Sequence, residues 1–274
     1  MRADPTPTTR QWLELLGLLA LSFGCGEPVA VADMALPDAG APEVRHLATN
    51  ATLSPSGELT VARPESAEGD LLVLFLSRTD DPLPLRLEGW TAQAACLTSF
   101  NTQLECLTRA DCTAMDGDYC TAFGEMGTGE DLATVVYTRS VAADEPTSYG
   151  WTLRGTEASW AALSAVRGAD GAAPIRDRAV RSFDAVSASV FPSAHAEAGD
   201  LLLLFQAFDD PAAEGDFLAP AGMMQLAFVA GFDEAGHLFA GPIAEGGPTG
   251  ERETLGAGGP DAKDLMVTVV VAAP

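Results

Sequence analysis

Positive charge is scarce in this chain. Its 274 residues carry 39 aspartates and glutamates against 15 lysines and arginines, a formal net charge of −24, and Lys263 is the only lysine. Such a surface repels phosphate backbones and anionic headgroups, which argues against nucleic acid as a partner. Three histidines, His46, His195 and His237, are too few and too scattered for a His-x-x-x-His metal pair. No Gly-x-Ser-x-Gly elbow and no Cys-x-x-Cys dithiol occur, so neither a hydrolase nucleophile turn nor a redox pair is encoded locally. Helical periodicity is missing too: no stretch holds an i, i+3, i+4, i+7 apolar pattern between caps. Aromatics are 7% of the chain, a modest supply for a sugar-binding surface.

Hydrophobic residues make up 47%, enough for a packed core. The first apolar segment, Leu13 to Phe23, follows Arg2 and Arg10 and is interrupted by Glu14. It is too short to be a permanent bilayer span and reads as an export signal over 1–24. The run Leu21-Ser22-Phe23-Gly24-Cys25 resembles a bacterial lipobox, with leucine four residues before the cysteine instead of three. That resemblance implies cleavage before Cys25 and a diacylglycerol on its sulfur, hence a cell-envelope location with the lipid as the only membrane contact. An ordinary secretory signal is the alternative. Residues 25–44, with Pro28, Pro37, Gly40 and Pro42, read as a tether.

Beyond Cys25 four cysteines remain, Cys96, Cys106, Cys112 and Cys120, spaced Cys-x9-Cys-x5-Cys-x7-Cys. An even set in an exported chain predicts two disulfides of undetermined pairing. Zinc is the competing reading, without the usual close Cys pair. Asp111, Asp116 and Asp118 share this segment and are weak calcium candidates. Asp116-Gly117-Asp118 serves a turn equally well. No other cofactor is implied.

Short apolar or alternating runs punctuated by Gly, Pro and Asp predict strands: Glu58 to Ala62, Leu71 to Leu76, Thr134 to Val141, Tyr149 to Leu153 and Trp160 to Val166. Gly69-Asp70-Leu71-Leu72-Val73-Leu74-Phe75 returns 130 residues later as Gly199-Asp200-Leu201-Leu202-Leu203-Leu204-Phe205. Gly222-Met223 then stands for Gly89-Trp90, Leu238 to Ile243 for Thr134 to Val141, and Pro248-Thr249 for Pro146-Thr147. Leu265 to Val271, apolar at nearly every position, predicts a central strand covered on both faces. Two halves follow, 45–182 and 183–274, and the first carries about 30 extra residues that include the four cysteines. The expected fold is all-β: a jelly-roll-like antiparallel β-sandwich over 45–274 with two pseudo-repeated halves. A disulfide-stapled insertion is expected at about 92–130.

The series Gly69-Asp70-Leu71-Leu72-Val73, Gly89-Trp90-Thr91, Val136-Tyr137-Thr138-Arg139, Glu145 to Leu153 and Ala165-Val166-Arg167-Gly168-Ala169-Asp170 is similar to a β-sandwich module of exported bacterial proteins and phage virion proteins. Pro220-Ala221-Gly222-Met223 and the Gly-rich 249–259 fit the second half of that module. The resemblance implies the fold and supplies no catalytic residue. Candidate binding aromatics are Trp90, Tyr149, Trp151 and Trp160, which read first as core or sheet-packing residues and second as a sugar-stacking platform. Asp80-Asp81 and Asp209-Asp210 end the two equivalent strands and read as turn residues or an acidic calcium pocket. The function expected is a non-catalytic envelope module that binds a glycan or a surface protein. A secreted carbohydrate hydrolase and a purely structural envelope component are the alternatives.

Overall fold

The computed structural model describes residues 43–79, 83–99, 102–104, 119–120, 132–184, 188–209, 218–232, 234–255 and 263–274. Strands follow one another in these segments and no helix occurs among the described residues. The first series is β1 (Arg45–Ser54), β2 (Glu58–Ala62), β3 (Leu71–Thr79), β4 (Leu83–Pro84), β5 (Thr91–Ser99), β6 (Thr102–Leu104), β7 (Tyr119–Cys120), β8 (Leu132–Ser140), β9 (Ser148–Thr152) and β10 (Ser159–Arg167). The second is β11 (Ile175–Asp184), β12 (Ala188–Phe191), β13 (His195–Ala196), β14 (Leu201–Phe208), β15 (Met224–Gly231), β16 (Glu234–Pro242), β17 (Gly247–Pro248), β18 (Arg252–Leu255) and β19 (Lys263–Val271).

Two antiparallel sheets carry the architecture, ordered β1-β10-β3-β8-β5-β6 and β11-β19-β14-β16-β15. Each is centred on a strand launched by a Gly-Asp turn. Gly69 and Gly199 take φ of +87° and +92°, a region that costs a residue without a Cβ little. Leu71 pairs with Ser140 and Val166, and Leu201 with Pro242 and Val271. Both central strands are therefore hydrogen-bonded on both edges and buried on both faces, which explains their unbroken apolar runs.

The sheets lie face to face. β1 packs over β15, β10 over β16, β8 over β14 and β19, and β5 over β11. Inward side chains alternate along each strand and form one core: Leu71, Val73 and Phe75 from β3, Trp160, Ala162 and Val166 from β10, Leu201, Leu203 and Phe205 from β14, Val267, Val269 and Val271 from β19. Phe205 stacks on Phe75 at 4.8 Å and on Trp160 at 4.5 Å. Removing each such side chain from water contributes about 1.5–3 kcal/mol.

The outer faces are apolar as well and need their own cover. On the six-stranded sheet, Leu72, Leu74 and Leu76 lie beneath the β2–β9 ribbon through Leu59, Val61, Tyr149 and Leu153. On the five-stranded sheet, Leu202, Leu204, Met266 and Val270 lie beneath Phe191, Ala194 and Ala196. β12 pairs with β18 and β13 with β17 to hold that cover. The molecule thus has four layers, and the outer pair decides what the surface presents.

The strands expected at Glu58 to Ala62, Trp160 to Val166 and Leu265 to Val271 are β2, β10 and β19. β1, β11 and β15 were not foreseen. They flank the sheets, and β1 and β15 are only half-buried along most of their length, so no continuous apolar run announces them.

Candidate functional site

Three of the four candidate aromatics converge on the outer face of the six-stranded sheet. Trp90 enters from the turn before β5, and Tyr149 and Trp151 enter from β9. Gly89, at φ +76°, closes that turn, and the Trp90 amide donates to the Leu87 carbonyl at 3.0 Å. The Arg139 guanidinium lies against Gly89 and donates to its carbonyl at 3.3 Å, so a Cβ there would displace that side-chain end. The Trp90 ring meets Tyr149 edge-on at 5.1 Å and Trp151 at 6.2 Å, and Tyr149 and Trp151 lie nearly parallel at 6.0 Å. Tyr149 is buried; Trp90 and Trp151 are half-buried and reach the surface.

A charged pair fixes this cluster from behind. The Glu145 carboxylate, fully covered, takes Arg139 Nε at 2.7 Å, the Tyr149 hydroxyl at 2.8 Å and the Ala142 amide at 2.9 Å. Burial alone would raise the Glu145 pKa; these three donors outweigh it and hold the carboxyl below its usual range. Tyr149 moves the opposite way, raised by burial and by the carboxylate it serves. Arg139 also sits 6.0 Å above the Tyr149 ring, and Arg63 donates to the Glu145 carbonyl at 3.2 Å. Every polar group of the support is thus satisfied, so the aromatic rings are preorganised.

Beside Trp90 runs a groove of ≈ 410 Å³ lined by Leu85, Arg86, Leu87, Trp90, Thr91 and Ala92. Its wall is anchored by the Tyr137 hydroxyl, which donates to the Pro84 carbonyl. Leu85 is buried, while Arg86 and Thr91 are exposed. An apolar floor, a half-buried indole and an exposed guanidinium at one rim suit a ligand with both a flat apolar face and polar substituents.

Trp160 does not join the cluster. It is fully buried between the sheets, against Phe205 and Gly236. Cys25, Cys106, Cys112, Asp80, Asp81, Asp111, Asp116, Asp118 and Asp210 lie outside the described residues. Cys96 and Cys120 contribute backbone to β5 and β7, opposite Thr134 and Leu83. Among the described residues no group of three or more His, Cys, Asp or Glu side chains is placed to hold a metal ion. Likewise, no helix among them is long and apolar enough to cross a membrane.

Two other carboxyls are fully buried, and both are held protonated to unusually high pH by desolvation. Glu234 points into the core between the sheets, where the nearby Ser77 hydroxyl and the Arg78 charge offset only part of the cost of burying it. Asp264 points out from β19 and is pushed up to about 7, with the Ser189 hydroxyl and the Gln206 amide (2.9 Å) on one oxygen. Their strand positions put them on opposite faces of one sheet, so they do not form the facing pair that glycoside hydrolysis requires. His237, lowered to about 4 by burial, lies between the rings of Phe228 and Phe239 at 4.6 and 5.7 Å.

Arg63, Arg86, Arg139 and Glu145 went unnoticed in the sequence as site residues. The loop between β8 and β9 brings Glu145 back onto Arg139 and Tyr149, and no residue spacing announces that return. Fold and site define an all-β protein of stacked antiparallel sheets with an aromatic groove on one outer layer. Searched against family models, curated proteins and solved structures, the chain matches none.

Proposed function

We propose that this chain is an exported envelope protein, lipid-anchored through Cys25, that binds carbohydrate without catalysis at the Trp90 groove. One observation carries the binding reading: Trp90 from one element and Tyr149 and Trp151 from another assemble a preorganised, partly exposed aromatic cluster beside an open groove. Sugar rings present flat C–H faces that stack on such rings, and half-buried indoles lose little conformational freedom on binding. A hydrolase reading receives no comparable support, since the carboxyls with raised pKa are sealed in different layers. The export and anchor rest on Leu13 to Cys25 alone.

The finer architecture belongs to the same proposal. The two halves are copies of one unit, and within the insertion expected at about 92–130 the residues beyond β5, itself the counterpart of β15, are stapled by Cys96, Cys106, Cys112 and Cys120. Support for the copies comes from the strand orders: β1-β10-β3-β8-β5 and β11-β19-β14-β16-β15 run through corresponding strands in the same sequence.

The test is a panel of immobilised glycans probed with the full-length chain and with Trp90→Ala and Trp151→Ala. At least one glycan is retained by the parent, and each substitution reduces retention about tenfold or more, the scale of one lost stacking contact. Retention of nothing, or equal retention by both variants, overturns the reading.

A further inference from the structure

Each sheet of the sandwich has two edges, and the four edges are not equally protected. The six-stranded sheet ends on β1 and β6, the five-stranded sheet on β11 and β15. An open edge offers unpaired amides and carbonyls to another strand, and shortness or charge guards against that. On one side of the molecule both guards are present: β6 is three residues long, and β11 carries Arg176, Asp177, Arg178 and Arg181. On the other side neither is. β1 has ten residues and β15 eight, and no charged residue occurs from Leu47 to Leu53 or from Gly222 to Phe232. β1 pairs with β10 and β15 with β16, and neither has a partner strand on its outer edge among the described residues. A bulge interrupts each near its start, at His46/Ala48 and at Gln225/Ala227, and leaves the rest regular.

These two edges lie one above the other, with Gly231 against the Leu53 side chain. Phe228, 41% exposed, and Phe232, 58% exposed, belong to β15 and the turn after it. Phe232 holds a φ of +55°, a left-handed conformation that a bulky side chain adopts only at a cost. Burial within the chain does not offset that cost.

We propose that this side of the sandwich is the interface of a two-fold homodimer, in which β1 pairs with β1 and β15 with β15 of a second copy. A single extended peptide fills one edge. A second copy presents two open edges at the same spacing and fills both at once, and a two-fold axis perpendicular to the sheets makes both pairings antiparallel. Strands of ten and eight residues run about 34 and 27 Å, so both sheets become continuous across a long seam. Phe228 lies near the middle of β15, where the axis passes, so the rings of the two copies meet. Phe232, past the strand's end, comes over the beginning of the other β15 and gains the burial it lacks. Two copies of net charge −24 meet with least repulsion where acids are absent. Salt screens the remaining repulsion, so this dimer tightens as ionic strength rises, whereas one held by ion pairs loosens. The pairing does not depend on what the Trp90 groove binds.

Sedimentation velocity of the full-length chain is expected to show a species of twice 28.4 kDa. Its dissociation constant is expected to be about tenfold lower in ~0.5 M NaCl than in ~0.05 M. Phe228→Lys sets two like charges together at the axis and weakens the dimer about tenfold or more, although it lowers the net charge that opposes association. Phe232→Gly also weakens it but relieves the backbone, so its monomer is no less stable than the parent's in urea. Amide exchange in β1 and β15 slows as protein concentration rises. A monomer at every concentration and both salts overturns the proposal, as does a dimer that loosens in salt or that both variants leave intact. Protection of β1 that ignores concentration and vanishes on removal of residues 25–42 assigns that edge to the preceding segment of the chain, and overturns it as well.

Discussion

Asp70 and Asp200 show how much one residue fixes in this fold. Asp70 accepts the Ala67 amide at 2.7 Å and a two-point contact from Arg167 at 2.7 and 2.8 Å. Asp200 accepts the Glu197 and Ala273 amides at 2.7 and 2.8 Å and a two-point contact from Arg176. The carboxylates do the same work although the arginines come from different strands, β10 in one case and β11 in the other. Burial would raise both pKa values, and the donors reverse the sign and lower them. Asp200, whose side chain is fully covered, also ties down the C-terminal end of β19. Asp200→Ala is expected to cost about 3 kcal/mol, the cost of leaving several charge-assisted donors unmet. Asp70→Ala costs less, because Arg167 is 43% exposed and can return to water. Urea unfolding of the two variants checks the order.

At the scale of elements, the close approach of β16 to β10 is decided by an absent side chain. A Cβ on Gly236 would overlap the Trp160 ring and come within 2.7 Å of the Gln206 carbonyl. Neither the ring, wedged against Phe205, nor the backbone can yield. Gly236→Ala is therefore expected to destabilise by about 2–3 kcal/mol, as overpacking of a full core does. Gly171→Ala, with nothing within 4 Å, stays within about 0.5 kcal/mol of the parent. Thermal melts of both provide the comparison.

The same scale separates what the sequence revealed from what it hid. Central strands were legible, because burial on both faces leaves a continuous apolar run, as in Leu71 to Leu76 and Leu265 to Val271. The Gly-Asp turns were legible because a positive φ and a carboxylate acceptor are needed together. Trp90, Tyr149 and Trp151 were legible as candidates, but not as a group apart from Trp160. That distinction depends on which face of a sheet each occupies after β9 folds over β3. Arg86 and Glu145 were invisible as site residues, since a charge on a loop looks the same whether it faces a groove or water.

For the whole molecule, the buried acids set the dependence of stability on pH. In the unfolded chain Asp264 loses its proton near its ordinary value of 3.8, whereas in the fold it keeps it to about 7. The folded state thus binds the extra proton, so this group's stabilisation is complete below 3.8, falls as pH rises through that window and levels off above about 7. Glu234 acts in the same direction. His46 and His237, both lowered to about 4, act oppositely: each is buried neutral, and stability is lost as pH falls from 6.5 toward 4. Asp264→Asn removes one limb of this balance. Relative to the parent, its stability is expected to improve by about 2 kcal/mol between pH 5 and pH 7.5. Paired urea titrations at the two pH values measure it.

The single core between the sheets has a consequence for the order in which the chain is made. Every strand of the first sheet precedes every strand of the second. When the ribosome has released β10, Phe75, Trp160 and Val166 have no partner layer, and none exists until β14 and β19 emerge about 35 to 100 residues later. At roughly 5–20 residues per second, that interval lasts about 2–20 seconds. For that time the nascent protein is a one-sided apolar sheet. A chain in that condition exposes apolar surface and is prone to associate until the second sheet forms.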